Sequence, residues 1–433
     1  MNPPTDAVQV LPGRVDGRLP APPSKSVTHR AFLLAAQARD GCTVTTPLLS
    51  HDTMATLHGL EALGLRPSFE GSVVRFLPAT LRPSRAAIDC GNSGTTLRLL
   101  AATAARLPFA TTLTGDTSLR RRPNDALVDA LHQAGATCRS DAGRAPLVVT
   151  GPLRPGPLRI DGAAGSQAVS AMLLATPFLQ GPSRIAVTAP VASRPYLDLT
   201  IDVARQAGLA FRQDAAGLPT YDVPGGQEVR ATNLKVPGDW SSAAFVLAAA
   251  AITGGTVTVH GLDAQSRQGD RRIVDHLRSF GAHVTTAADA TTCHGGPLSS
   301  PGAMDVRETP DLFPVLAVLA ACARGTTTLA GAAHLRGKES DRIEAMTLGL
   351  RAMGARATAQ PDGLVVTGGA LHGAVVDAAG DHRIHMAFAI AALAANGASW
   401  IGGAATAAVS FPAFHDALRA LGARVAAGVE VPA

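Results

Sequence analysis

Lysine is nearly missing from this chain. Only Lys25, Lys235 and Lys338 occur, against 35 arginines, and two of the three lie inside polar motifs. An ammonium and a guanidinium are not interchangeable where a site is tight, so those two positions are candidates for chemistry. Aromatic residues make up 4% of the chain, too few for the stacking platforms of a nucleic-acid binder. Charged residues are also scarce at 16%, below the roughly 25% of a typical soluble chain, which implies that much helical surface is buried. The five cysteines form no CxxC pair and show no metal spacing, so neither a disulfide framework nor a metal site is expected. The longest apolar runs, Ala243 to Ile252 and Leu312 to Ala323, fall short of the roughly 20 residues that a membrane span needs. The opening MNPPTDAVQV has no basic-then-apolar leader pattern. These absences point to a cytoplasmic protein with no membrane or nucleic-acid partner. The net charge of +5 is spread along the chain and permits an acidic ligand.

What the chain does contain is a sixfold repeat. An apolar run opens at Ser26, Ser93, Ser166, Ser241, Asp311 and Asp381, at intervals of 67 to 75 residues. A second, amphipathic run closes at Gly64, Gly135, Gly208, Gly281, Gly354 and Gly422, at intervals of 68 to 73. A fixed period means one supersecondary unit used repeatedly. In the fourth copy, AAFVLAAAAI is apolar on every side, as a helix buried all round would be. TVTVHG alternates like a strand, RRIVDHLRSFG shows one apolar face ending at a glycine cap, and AHVTTAADATTCHGG reads as two short strands. The order is therefore α-β-α-β-β. The last copy is one strand short, and Ala7 to Leu11 stands spare before the first copy and could supply it. The expected division is a discontinuous domain, residues 1–22 with 237–433, carrying repeats four to six. Residues 23–236, carrying repeats one to three, are expected as an inserted domain.

The segments before the buried helices are Pro-Ser-Lys-Ser (23–26), Gly-Asn-Ser-Gly-Thr-Thr (91–96), Gly-Ser-Gln (165–167), Gly-Asp-Trp-Ser-Ser (238–242), Thr-Pro-Asp (309–311) and Gly-Asp-His-Arg (380–383). Ser, Asn and Asp are good N-caps, and capping alone is one account of them. The other is that helix N-termini, with free N–H groups and a partial positive charge, form anion sites. Lys25, Arg30, Arg98 and Arg383 add cations on the starts or first turns, where the dipole disfavours them. Such placement suggests an anionic ligand that offsets the cost. Further cations sit just before the amphipathic helices, in Leu119–Pro123, Ser193–Tyr196 and Gly337–Arg342, where Arg forks suit phosphate and carboxylate.

Together PSKSVTHR, GNSGTTLRLL, LTGDTSLRRRP, SRPYLDLT, GDWSSAAFVLAAAA, ETPDLFPVLA, GKESDR and DHRIHMAF resemble, in order and spacing, the EPSP synthase family, 3-phosphoshikimate 1-carboxyvinyltransferases. The resemblance implies an α/β fold of two domains, each of three βαβαββ-type units with buried parallel helices and four-stranded sheets, with substrate in the cleft. It implies transfer of the carboxyvinyl group of phosphoenolpyruvate to the 5-hydroxyl of shikimate 3-phosphate, releasing phosphate, with no metal or organic cofactor and by a monomer. Carried over by position, Lys25, Ser26, Arg30, Ser166, Gln167, Ser193, Tyr196, Asp311, His334 and Lys338 are expected to hold shikimate 3-phosphate. Lys25, Asn92, Gly94, Arg122, Gln167, Arg342, His382 and Arg383 are expected to hold phosphoenolpyruvate. Asp311 resembles the base for the 5-hydroxyl, aided by Lys338; Glu339 resembles the acid/base for the vinyl carbon, and Lys25 is placed among the catalytic groups.

The chain departs from the family pattern at Gly165-Ser166-Gln167, where many members read Ser-Ser-Gln or Ser-Ala-Gln, at His334, where some carry asparagine, and near Val409, where some carry a lysine. The sister family of UDP-N-acetylglucosamine enolpyruvyl transferases is the alternative. It is expected to carry Lys-Asn near its start and a cysteine in the loop after the second repeat's strand. Here those places read Ser24-Lys25-Ser26 and Gly115-Asp116-Thr117-Ser118. Cys90 is the one tempting nucleophile, with a small buried residue at a strand end as its plainer role.

Overall fold

The computed structural model describes residues 6–82, 86–163, 165–214 and 217–427. The chain divides into two compact units, one of residues Pro23–Pro237 and the other of residues up to Pro22 together with Gly238 onward. The first and last few residues of the discontinuous unit lie outside the described residues.

In the inserted unit the helices are α1 (Lys25–Ala35), α2 (His51–Ala62), α3 (Gly94–Ala104), the short α4 (Thr117–Arg121), α5 (Asp125–Gln133), α6 (Gln167–Ala175) and α7 (Pro195–Gln206). The apolar runs α1, α3 and α6 form the centre, and each buries nearly every residue beyond its first turn. The amphipathic α2, α5 and α7 pack around them, each with one apolar face inward. Three four-stranded sheets cover the outside. In the second repeat Ile88–Asp89 runs parallel to Ala110–Thr114, which pairs antiparallel with Arg144–Thr150, and Thr137–Asp141 forms the far edge. The third repeat follows the same order. In the first repeat the lead strand is Asn233–Lys235, supplied from the end of the unit and paired parallel with Cys42–Thr45.

The other unit repeats the plan with α8 (Trp240–Thr253), α9 (Ile273–Ser279), α10 (Phe313–Cys322), α11 (Arg342–Ala352), α12 (His382–Leu393) and α13 (Phe414–Ala420). Helices α8, α10 and α12 make the centre, with twelve, nine and twelve buried residues respectively, so they present no solvent face. The outer helix α11 approaches α12 so closely that a Cβ on Gly349 would lie 2.1 Å from the Phe388 ring. Two of this unit's strands come from the chain start. Gly17–Pro20 pairs parallel with Thr256–His260 as the lead strand of the fourth repeat. Val8–Val10 lies antiparallel between Ser399–Ile401 and Val425–Ala427, filling the place left open in the last repeat.

Glycines 64, 135, 208, 281, 354 and 422 all have positive φ, between 82° and 97°. A left-handed residue ends each amphipathic helix and turns the chain into the next strand, a conformation glycine adopts without strain. Three helix starts differ from those read in the sequence. α1 is capped by Ser24 rather than Ser26, and α8 by Asp239 rather than Ser241 or Ser242. Asp311 caps nothing, because α10 begins two residues later. Among the described residues no helix is long and apolar enough to cross a membrane.

Partly buried histidines set an acid limit on this packing. His415 joins His385 ring to ring at 2.8 Å, and burial pushes His415 down to about 4; His276 is also pushed to about 4 by burial. Both are neutral in the fold, whereas an unfolded histidine takes a proton near 6.5. Their depressed affinity therefore contributes full stability above pH 6.5 and loses it as pH falls from there toward 4. Urea midpoints should fall between pH 7 and pH 4.5, and His276→Leu should reduce that fall; an unchanged slope in the variant counts against this account.

Candidate active site

Each unit carries one cluster of the residues singled out above, and the helix starts explain why. None of the six central helices has an acidic residue in its first turn. All six of the longer outer helices have one: Asp52, Asp125, Asp198, Asp275, Glu344 and Asp416. Acidic first turns stabilise a helix, so their absence from the central set leaves the positive end of each dipole for something else.

In the inserted unit the three central helices are capped by neutral serines, Ser24, Ser93 and Ser166. The Ser93 hydroxyl accepts from the Thr96 amide at 3.1 Å. Lys25, the first residue of α1, donates to Asp52 at 2.9 Å. Arg30 lies one turn further in and is 3% exposed. Its hydrogen bonds go to neutral oxygens: Thr200 Oγ1 at 2.8 Å, the Ser26 carbonyl at 2.8 Å, Ser170 Oγ at 3.4 Å and the Tyr196 carbonyl at 3.5 Å. Burial lowers its proton affinity to about 10, so it remains a cation at neutral pH.

A second group gathers at the start of α3. Arg122 donates to Asn92 Oδ1 at 2.5 Å and to Ser118 Oγ at 3.2 Å, while the Asn92 amide donates to Asp116 at 2.6 Å. Arg98 donates to Gln167, which donates to Thr95 at 3.0 Å. Gly94 faces both forks: an added Cβ would stand 2.7 Å from Arg98 Nη1 and 3.3 Å from Arg122 Nη1. The two groups share a strut, since Thr96 Oγ1 donates to the backbone carbonyl of Asp52 at 3.2 Å. Ser166 and Ser193 are buried, and the hydroxyl of Ser166 makes no capping bond. Gly165 has φ +125, a conformation that disfavours the serine found there in some family members.

In the other unit the cluster is rich in carboxylates. Arg342, 1% exposed, donates to Asp381 at 2.8 Å, to Glu339 at 2.9 Å and to Asp311 at 3.0 Å. These three carboxylates outweigh burial and hold the guanidinium far above its usual range. Arg383 donates to the other oxygen of Asp311 at 3.0 Å. Asp381 caps α12 by accepting from the Arg383 amide at 2.9 Å, and it also accepts from Ser340. His382, beside it, is 2% exposed. His334 is held down to about 4 by burial, then by Lys338 and Arg342, so its ring is neutral. Its buried Nε2 has no hydrogen-bond partner among the described residues.

Sequence reasoning missed the partners: Asp52 for Lys25, Ser170 and Thr200 for Arg30, and Asp116 for Asn92. Nothing at those positions marks them locally, because each partner lies on a different helix or loop. Cys90 is fully buried after Ile88–Asp89 with its thiol pushed up to about 12, chiefly by burial, which leaves no nucleophilic thiolate at neutral pH. Among the described residues no three His, Cys, Asp or Glu side chains are grouped to hold a metal ion.

A family model described as EPSP synthase (3-phosphoshikimate 1-carboxyvinyltransferase) matches residues 11–418. The chain belongs to the EPSP synthase family. It is 44% identical over 428 residues to a protein of Halobacterium salinarum named 3-phosphoshikimate 1-carboxyvinyltransferase, covering 96% of this chain and 98% of that one. A Methanocorpusculum labreanum protein of the same name is 43% identical over 414 residues, covering 95% and 97%. Among solved structures, EPSP synthase of Acinetobacter baumannii superposes with a TM-score of 0.79 at 31% identity, over 98% of this chain and 100% of that one. The α/β architecture of repeated four-stranded sheets is thus that of the EPSP synthase fold.

Ser193 is the strained member of the cluster, with φ 66 at a non-glycine residue. Strain of this kind costs about 1–3 kcal/mol and persists where function holds it. Ser193→Gly should therefore leave the urea midpoint unchanged or raise it, by about 1 kcal/mol of stability at most, while ligand binding weakens. A clear drop in midpoint would show that the hydroxyl is kept for the fold instead.

Proposed function

We propose that this chain transfers the carboxyvinyl group of phosphoenolpyruvate to the 5-hydroxyl of shikimate 3-phosphate and releases phosphate. The observation that carries the reading is the presence of two unlike clusters, one in each unit, in a member of the EPSP synthase family. One is a cation-rich set of bare helix starts, around Lys25, Arg30, Arg98 and Arg122. The other is a nest of carboxylates on fixed arginines, around Asp311, Glu339, Arg342 and Arg383. Both substrates are anions, and the reaction between them needs acid and base.

The chemistry assigns the roles. Substitution at a vinyl carbon that ends as a vinyl carbon proceeds by addition and then elimination. The hydroxyl loses a proton and bonds to the carbon bearing phosphate, while the methylene carbon gains a proton. In the second half the methylene carbon returns that proton and the bond to phosphate breaks. Asp311 takes the hydroxyl proton, with Lys338 aiding it; Glu339 delivers and withdraws the proton on carbon. A carboxylate poised by fixed cations suits such work, because its charged form is stabilised and its oxygens are oriented. Lys25, Ser26, Arg30, Ser166, Gln167, Ser193, Tyr196 and His334 hold the phosphorylated ring. Lys25, Asn92, Gly94, Arg122, Gln167, Arg342, His382 and Arg383 hold phosphoenolpyruvate. The chain acts as a monomer in the cytoplasm. The sister activity on UDP-N-acetylglucosamine gains no support: the loop it would need is Gly115–Ser118 without a thiol, and Cys90 is buried.

The direct test is phosphate release from phosphoenolpyruvate, with shikimate 3-phosphate and separately with UDP-N-acetylglucosamine. Release is expected only with the first; release with the second alone would overturn the assignment. Asp311→Asn should lower turnover by about 10²–10⁴ while both substrates still bind, the usual span for a general base. Undiminished turnover would remove Asp311 from that role. Gly94→Ala should displace Arg98 and Arg122 and raise KM for phosphoenolpyruvate about tenfold, the effect of roughly 1.4 kcal/mol. The same variant should leave KM for shikimate 3-phosphate much less affected, since Arg30 and its partners lie apart from the new methyl group.

A further inference from the structure

Beneath the start of α8 lies a polar network that the assigned roles do not use. Gln268 donates to Asp239 at 2.6 Å and to the Ser241 hydroxyl at 2.9 Å, and its carbonyl accepts from the Trp240 amide at 3.0 Å. Ser242 donates to the other oxygen of Asp239 at 2.8 Å. The Ser241 hydroxyl, already accepting from Gln268, donates onward to Asp270. All of these side chains are at most 4% exposed, and Asp270 is fully buried. Capping α8 requires only Asp239. The remainder of the network serves to fix one buried carboxyl.

A buried carboxyl is costly unless it does something for its surroundings. The charges that act on the Asp270 carboxyl come from Asp311 before α10, Arg383 in α12 and Asp239 at the start of α8. Arg383 is the same guanidinium that donates to Asp311 at 3.0 Å. Two carboxyls therefore bear on one cation, and each raises the other's affinity for a proton.

We propose that Asp270 is a positioning residue for Asp311: anchored by Ser241, it competes for the charge of Arg383 and so governs how strongly Asp311 draws the proton of the attacking hydroxyl. The inference rests on the reading of Asp311 as that base. Burial, and then Asp311, push the Asp270 carboxyl up to about 7, so it changes charge in the working range. Above that pH an ionised Asp270 repels the charge on Asp311 and takes a share of Arg383, making Asp311 the stronger base. Below it the neutral carboxyl leaves Arg383 to Asp311, making Asp311 the weaker base. The sign is definite: turnover should gain from ionisation of Asp270.

The experiment is kcat and KM for both substrates from pH 5.5 to 9 in the wild type, Asp270→Asn, Ser241→Ala and Asp311→Asn. Asp270→Asn is expected to lose the inflection near 7 and to lower kcat at pH 8 by about 3- to 30-fold, a modest weakening of a general base, with KM for shikimate 3-phosphate within about twofold of the wild type. Ser241→Ala should move the same inflection to higher pH, because Asp270 loses a hydrogen bond to its charged form. A purely structural Asp270 would lower activity evenly across the range and leave the shape of the profile alone; that result overturns the proposal. If Asp270→Asn does not fold, the Ser241→Ala profile decides: a shifted inflection supports the proposal and an unmoved one ends it. Asp311→Asn separates the two ideas. Full activity in that variant defeats the base assignment itself, whereas low activity there with a wild-type profile in Asp270→Asn defeats the positioning role alone.

Discussion

The structure depends on six helices that are buried along most of their length and whose positive ends carry no acid in the first turn. A buried helix can satisfy its interior backbone by its own ladder, but its first N–H groups need partners from elsewhere. The outer helices meet the need with acidic first turns. The central ones leave part of that potential unspent, and the repeat places the same unspent end at the same point of every unit. Regular packing thereby produces a set of anion-attracting ends without any dedicated scaffold.

The two units then diverge in how they treat those ends. In the inserted unit the caps are serines, and the added side chains Lys25, Arg30, Arg98 and Arg122 reinforce the positive potential. In the other unit two caps are aspartates, Asp239 and Asp381, and Arg342 and Arg383 are met by carboxylates. One architecture yields an anion holder in the first case and a set of poised acids and bases in the second. The difference lies in a few residues at the helix starts, not in the fold.

The repeat was legible in the sequence because it rests on local signals. An all-apolar run, a one-sided run and a glycine in the left-handed region each leave a pattern within a dozen residues, and all six terminal glycines have positive φ. The spare segment at Val8–Val10 could be read because a repeat with a missing strand calls for one. Gly17–Pro20 and Asn233–Lys235 could not, since each is a short strand with a charged or proline-bearing sequence and takes its place only through a parallel partner. The candidate clusters were legible as sets of residue types: Lys25, Arg30 and Arg98 lie at helix starts of one unit, and Arg342 and Arg383 at those of the other. Which oxygen satisfies which nitrogen was not. Asp52, Thr200 and Asp270 meet their partners across helices, and periodicity carries no information about such meetings. Capping also misled at α8, where Asp239 rather than Ser241 takes the role and leaves the Ser241 hydroxyl for Asp270.

Arg342 ties this packing to the chemistry. Each nitrogen of its fork donates, Nη1 to Asp311, Nη2 to Glu339 and Nε to Asp381. The three carboxylates are not held equally. Asp381 is the least able to yield, because it is wholly buried and caps α12 as well. Asp311 and Glu339 are the more exposed partners, with side chains 21% and 15% accessible. The two carboxylates proposed for proton transfer are thus the accessible partners of this arginine. A lysine in place of Arg342 would keep the charge but could not hold three oxygens in a plane. That is a sufficient reason for this position to be a guanidinium, whatever the base composition that favours arginine elsewhere in the chain.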